Sequence, residues 1–286
     1  MAETKRLTIL EELFAFEHTT FDICITYIGM LFAASVTGIT LYKIILITVA
    51  FFAARSAAMI MNRYAGRRTD LQDESKGRRD SMVISRDGLI AIFMAFAAVF
   101  LVSAYLLNLL VLFLAPIVLL WFIVDPYLKT HTSHRHYDIG IMQGLGMFGG
   151  YMGASGAAPL TMPLYLLFIA IILIGGGSDI IYTVSHMEFD KKHGLKTYAS
   201  KYGAEKALKY SLYSHVLAGL FMVLFGVSTG SWIIASGAII AAVVLVSEHR
   251  GANYDSRSFK VYGIAHYKGY VGIILLLSVM IAFVTL

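Results

Sequence analysis

Apolar runs of about twenty residues recur along the whole of this 286-residue chain, and no other feature restricts its fold as strongly. At 1.5 Å of rise per residue, roughly 20 apolar residues cross the hydrocarbon core of a bilayer as a helix. The runs predict nine such helices, at roughly 20–38, 42–63, 88–106, 108–124, 138–155, 160–187, 208–227, 230–248 and 267–285. None shows the two-residue alternation of a transmembrane barrel. Charged residues make up 14% of the chain, against about 25% in an average soluble domain. The expected fold class is therefore all-α: a polytopic membrane protein with a single integral domain over 1–286.

The charges give this bundle a direction. Nearly all Lys and Arg residues fall in the N-terminal segment or in the loops 64–87, 125–137, 188–207 and 249–266, while the connections between them hold Lys43 alone. Such a bias places the N-terminus in the cytoplasm and, after nine spans, the C-terminus outside the cell membrane. It also accounts for the net charge of +5 without invoking nucleic acid. The opening stretch "MAETKRLTILEELFAFEHTTFD" mixes acids with bases and lacks the form of a signal peptide. Cys24 is the single cysteine, which excludes an intrachain disulfide. Most acids, including Asp70, Asp73, Asp190 and Glu205, flank the same loops, which orientation alone does not require. The cytoplasmic face is thus read as the chemical face.

Two helix ends on that face echo one another, "NRYAGRRTDLQD" and "SDIIYTVSHMEFDKKHG", and suggest pseudo-repeat halves of about 1–137 and 138–286. In the first, Asn62, Gly66 and Asp70 are four apart and share a helical face. In the second, Tyr182, His186 and Asp190 do the same, with Asp179 on the same stripe after a triple glycine. Ionisable residues within a span, here Asp179 and Arg55, mark function by default, although the two could also pair structurally. Opposed carboxylates suit a hard divalent cation such as Mg²⁺, which keeps positions open for diphosphate oxygens. Arg78, Arg79, Lys129, Lys191 and Lys192 are placed to neutralise phosphate. His134, Arg135 and His136 form either a basic loop cluster or a set of metal ligands.

With these residues in hand, the chain resembles the UbiA superfamily of intramembrane prenyltransferases, nearest the branch that prenylates 4-hydroxybenzoate or related aromatic acids for quinone synthesis. Four segments carry the likeness: "FEHTTFDICITYIGMLFAA" (16–34), "RSAAMIMNR" (55–63), "DPYLKTHT" (125–132) and "SDIIYTVSHMEFDKKHGLKTYASKYGAEKAL" (178–208). The resemblance implies a ring of helices around a cavity open to the cytoplasmic side. It implies Mg²⁺ bridging two Asp-rich motifs to a prenyl diphosphate, and an aromatic acceptor attacking the allylic cation. It assigns Asp70, Asp190, Asp179 and Tyr182 to catalysis and Asn62, Arg79, Lys129, Lys191 and Lys192 to the diphosphate. Asp70 and Asp190 become metal ligands, with Asp73 a candidate substitute.

The chain departs from the family pattern at two aspartate positions, now Gly66 and His186, and at the Lys-Arg pair, now Lys129-Thr130. One carboxylate per motif remains where the family has two. The expected activity is prenyl transfer to an aromatic acceptor. A non-catalytic member that binds isoprenoid lipid or diphosphate is the alternative, and an unrelated solute carrier a third reading.

Overall fold

The structure is a computed structural model that describes residues 19–70, 84–251 and 263–285. Among the described residues, nine long helices carry the fold: α1 Thr19–Thr37, α2 Leu41–Asp70, α3 Arg86–Leu107, α4 Leu109–Val124, α5 His136–Ser155, α6 Met162–Val184, α9 Ala204–Ser228, α10 Trp232–Gly251 and α11 Ile264–Thr285. Two short helices, α7 Met187–Lys192 and α8 Tyr198–Tyr202, lie between α6 and α9. Two 3-10 turns, Asp125–Thr130 and Ser133–Arg135, lead into α5.

Among the described residues, eight helices are long and apolar enough to cross a membrane. The fifth expected span, α5, forms over 20 residues but is not one of the eight. Its sequence explains this: glycines and polar side chains such as Asp138 and Gln143 dilute its apolar character.

The described residues fall into two compact units. The first lies within Ile39–Leu128 and contains α2, α3 and α4. Its core joins Ala57, Ile60 and Met61 of α2 to Leu89, Phe93 and Ala97 of α3. The sequence predicts that α2 stops near residue 63, but it continues to Asp70. Tyr64 packs against that core, with the Arg86 guanidinium 5.9 Å from its ring centre, and Arg67 donates to the Ile84 carbonyl. These contacts carry the helix past its apolar end.

A single residue, Asn108, reverses the chain between α3 and α4. Its N–H donates to the Ala104 carbonyl, and its side-chain oxygen accepts the Val111 N–H at 3.0 Å. It closes one helix and caps the next.

The second unit combines Glu17–Gly38 with Lys129–Leu286. Its core runs through Phe21, Ile25 and Ile28 of α1, Met147 of α5, Ile171 and Ile174 of α6, Met222 and Phe225 of α9, and Leu275 of α11. Lipid tails are as apolar as these side chains, so close approach rather than apolarity must hold the helices together. Glycine provides that approach. A Cβ on Gly29 would sit 2.0 Å from the Met147 carbonyl oxygen, and one on Gly150 2.2 Å from that of Thr26. The backbones of α1 and α5 therefore touch directly.

The triple glycine 175–177 of α6 does the same in three directions. Successive helical residues point about 100° apart, so each glycine meets a different neighbour. A Cβ on Gly175 would lie 2.5 Å from the Cα of Gly140, one on Gly176 2.3 Å from the Tyr137 ring, and one on Gly177 2.4 Å from the His215 ring. This stretch locks α6 between α5 and α9, immediately before Asp179.

Candidate active site

The two polar helix ends belong to different units. In the first unit, Asn62 and Gly66 are half-buried on an unbroken α2 whose backbone reaches Asp70, so the shared helical face expected from the spacing is present. The side chains of Asp70 and Lys129, and all of Asp73, Arg78 and Arg79, lie outside the described residues. Arg55 is half-buried midway along the same helix.

In the second unit the expected continuous helix over 160–187 breaks. Helix α6 ends at Val184, and Asp190 sits on the separate short helix α7. The cause is local. Thr183 and Ser185 turn their hydroxyls back onto the carbonyls of Ile180 and Tyr182, at 3.0 and 2.7 Å, and compete with the helix ladder. The His186 N–H then bonds Thr183 in a tighter turn at 3.1 Å. The Tyr182 and His186 rings still lie 5.0 Å apart, and the Asp190 N–H still reaches the His186 carbonyl at 2.8 Å. The three residues thus stay neighbours across the break.

Asp190 is buried, and its Oδ2 accepts the Thr197 hydroxyl at 3.1 Å. Thr197 also forms a reciprocal capping box with Ser200 that starts α8. The carboxylate is therefore positioned by the segment that follows it. Lys191 and Lys192 are exposed, and Lys191 pairs with Glu188 at 3.0 Å.

Asp179 is held from the other side. Its Oδ2 lies 2.6 Å from His136 Nδ1, at the start of α5. The other nitrogen of that imidazole, Nε2, accepts the Tyr198 N–H at 3.2 Å. An amide can only donate, so Nε2 carries no proton there and Nδ1–H faces Asp179. His136 thereby joins α5, α6 and α8 through one buried ring. With both nitrogens engaged, His136 is a bracing residue, a role that neither reading of the His134–His136 cluster gave it. Burial, assisted by Tyr137, Tyr202 and Tyr210 nearby, pushes the Tyr198 phenol up to about 12.

A second buried polar group escaped the sequence reading. Gln143 donates to Asp22 Oδ1 at 2.7 Å, and Lys268 donates to Gln143 Oε1 at 3.4 Å. His249 Nε2 lies 2.9 Å from His215 Nδ1. The Glu248 carboxylate is fully buried and has no hydrogen-bond partner among the described residues; His215 Nδ1 is 3.6 Å from it. The signal was present, since Asp22, His215 and Glu248 stand inside predicted spans. It carries weight only once folding brings α1, α5, α9, α10 and α11 together.

Among the described residues, no three His, Cys, Asp or Glu side chains converge as a ready metal site. Mg²⁺, however, is commonly held by one or two protein carboxylates together with substrate phosphates. A buried Asp190 fixed by Thr197 fits that requirement.

The described residues thus form an all-helical architecture with eight candidate membrane spans and one polar helix end in each unit. Residues 23–262 match the UbiA prenyltransferase family, and the chain belongs to that family. The 4-hydroxybenzoate octaprenyltransferase of Xanthomonas campestris pv. campestris is 28% identical over 222 residues, covering 76% of this chain and 72% of the relative. The enzyme of the same name from Hahella chejuensis is 27% identical over 229 residues, covering 77% and 75%.

Among solved structures, the apo UbiA homologue from Aeropyrum pernix K1 superposes with a TM-score of 0.81 at 27% identity, over 93% of this chain and 98% of that one. The UbiA homologue from Archaeoglobus fulgidus bound to GPP and Mg²⁺ matches with a TM-score of 0.73 at 17% identity, over 97% and 99%, and supports the fold alone. Family membership replaces the unrelated solute carrier as a reading.

Proposed function

We propose that this protein transfers a prenyl group from a prenyl diphosphate to an aromatic acceptor of the 4-hydroxybenzoate type, within the cell membrane and from its cytoplasmic face. The observation that carries the reading is the buried, Thr197-braced Asp190 beside Tyr182 and His186, at the helix end where the family keeps its second motif. Relatives named 4-hydroxybenzoate octaprenyltransferase support the acceptor class.

Asp190 would hold the metal in this unit, with Asp70 its sequence counterpart on α2. When bound, Mg²⁺ would supply neutralisation of the diphosphate charge. His186, where the family has an aspartate, donates to a phosphate oxygen in place of ligating the metal. Asn62, Arg79, Lys129, Lys191 and Lys192 contribute to holding the diphosphate. Asp179 acts through His136, which fixes the α8 segment, and Tyr182 faces the reacting end. Buried and partly buried apolar side chains exclude water, which would otherwise capture an allylic cation.

The test is transfer of radiolabelled geranyl and longer prenyl diphosphates to 4-hydroxybenzoate in proteoliposomes. Asp190→Asn is expected to lower turnover by about 10²–10³-fold, as removal of a charge-stabilising group does. Transfer that persists in Asp190→Asn overturns the assignment. Saturable diphosphate binding without transfer to any acceptor favours the non-catalytic reading, which the replacement of family aspartates by Gly66 and His186 supports.

A further inference from the structure

A cavity of about 650 Å³ opens between the stretch 131–134 and the segment that runs from α7 into α8. His131, His134, Lys191, Lys196 and Lys201 line it together with Ser133, and among the described residues that line it none is Asp or Glu. Asp179, Tyr182, His186 and Asp190 are not among the residues that line it, while Lys191, assigned above to the diphosphate, is.

The walls are built rather than draped. Ser133 is 6% exposed, and the Thr132 hydroxyl accepts the His134 N–H at 3.1 Å to set the turn. Lys196 Nζ donates to the His131 carbonyl at 3.3 Å, tying the two sides together. His134 Nδ1 meets the Tyr198 hydroxyl at 3.2 Å. Glu188 pairs with Lys191, and the Asp190 carboxylate is engaged by Thr197, while Lys196 and Lys201 give the cavity its basic lining.

A tyrosine cluster next to this basic pocket, joined to its lining through His134 and Lys201, places it at a definite depth. Tyr198, Tyr202 and Tyr210 form a mutual ring cluster with centroids 5.3–5.6 Å apart. Tyr210 and Tyr213 are exposed on the first turns of the α9 span, and Lys201 Nζ stands 4.9 Å over the Tyr202 ring. Exposed tyrosines at the end of a span sit at the headgroup level of a bilayer. Basic pockets at that level suit phosphate-bearing lipid headgroups.

We propose that this cavity binds the phosphate group of an anionic phospholipid. Lys196 and Lys201 supply the charge, Ser133 lines the wall, and the neighbouring tyrosine cluster sets the headgroup level. The assignment rests on Lys196 and Lys201, which the proposed transfer does not use, and not on Lys191.

Native mass spectrometry of the purified protein, with equal phosphatidylglycerol and phosphatidylcholine added, tests it. Phosphatidylglycerol is expected to be retained preferentially. Lys196→Ala with Lys201→Ala lowers that retention, about fivefold for each charge removed. The paired Lys→Arg variants keep it, which separates charge from folding, and an unchanged elution profile confirms the fold of each variant. In a second arm, inorganic phosphate in excess is expected to leave the lipid bound. Equal retention of the two lipids, or retention unaffected by the double Ala variant, overturns the proposal. Displacement of the lipid by inorganic phosphate assigns the cavity to a soluble anion and overturns the lipid assignment.

Discussion

Gly177 offers the sharpest test of how the site is braced. A Cβ built there meets His215 Cδ2 at 2.4 Å and Nε2 at 2.5 Å, whereas ordinary contact begins at 3.4 Å. An exposed imidazole would swing aside. This one is fully buried, bonded to His249 at 2.9 Å on one nitrogen, and has Ser178 3.4 Å from the other. Relief must therefore come from moving α6 away from α9. Overpacking of a tight core costs about 1–3 kcal/mol, and a pinned ring places this site near the upper end. Alanine returns about 1 kcal/mol of helix propensity, leaving Gly177→Ala destabilised by about 2 kcal/mol.

Gly149 on α5 is the control, because a Cβ there meets nothing within 4 Å. Gly149→Ala should gain about 1 kcal/mol, so the two identical substitutions separate by about 3 kcal/mol. Thermal unfolding in detergent, followed by circular dichroism or a thiol-independent dye, reads the difference as a Tm lowered for one variant and raised for the other. Gly177 is also two residues from Asp179, so a displaced α6 moves that carboxylate relative to His136. Misplacement of about 1 Å costs roughly 10²-fold in rate, and turnover of Gly177→Ala should fall by that order. A Gly177→Ala protein as stable and active as the unaltered one would refute the claim that the triple glycine exists for close approach.

The other predictions follow from individual bonds. Replacing His136 by Phe leaves the Tyr198 amide and Asp179 without their imidazole partner and should destabilise by about 2–3 kcal/mol, measured by thermal unfolding. Glu248→Gln replaces a fully buried carboxyl group that has no hydrogen-bond partner among the described residues by a neutral amide of similar shape. Its Tm should hold or rise, and a loss above about 1 kcal/mol would mean that the carboxyl group itself stabilises the fold. The Tyr198 phenol, pushed up to about 12 from an ordinary value of 10.0, remains protonated in the folded chain after an unfolded one has ionised. Folded protein then binds more protons than unfolded protein between about pH 10 and 12, so this contribution to stability is full below 10 and is lost as pH rises through that window. Tyrosinate absorbance against pH should lose its latest-titrating component in Tyr198→Phe.

Much of this molecule is legible from one dimension. Helical periodicity and run length depend on local composition, and helices cross a bilayer without help from distant residues. That is why eight of the nine expected spans appear as long apolar helices. The sequence motifs also carry the family, through Asn62, Asp70, Asp179, Tyr182 and Asp190 at the expected spacing. The break after Val184 was less legible. It depends on two hydroxyls turning back onto the helix, a choice that neighbouring packing decides. Extension of α2 past residue 63 was likewise hidden, since it rests on Tyr64 and Arg67 finding partners on and before α3.

By itself, then, the sequence determined that the chain is a helical membrane protein of the UbiA family. It also singled out two polar helix ends, because apolar length and four-residue spacing are local properties. Only the tertiary structure decided what each polar residue does within its unit. Asp179 is tied to His136, and Asp190 to Thr197, across 43 and 7 residues of chain. The triple glycine became three separate seats for three neighbours, and Glu248, His215 and Lys268 became one buried polar group. Those pairings depend on which backbones approach within a few ångströms, and that is settled by packing among helices far apart in sequence.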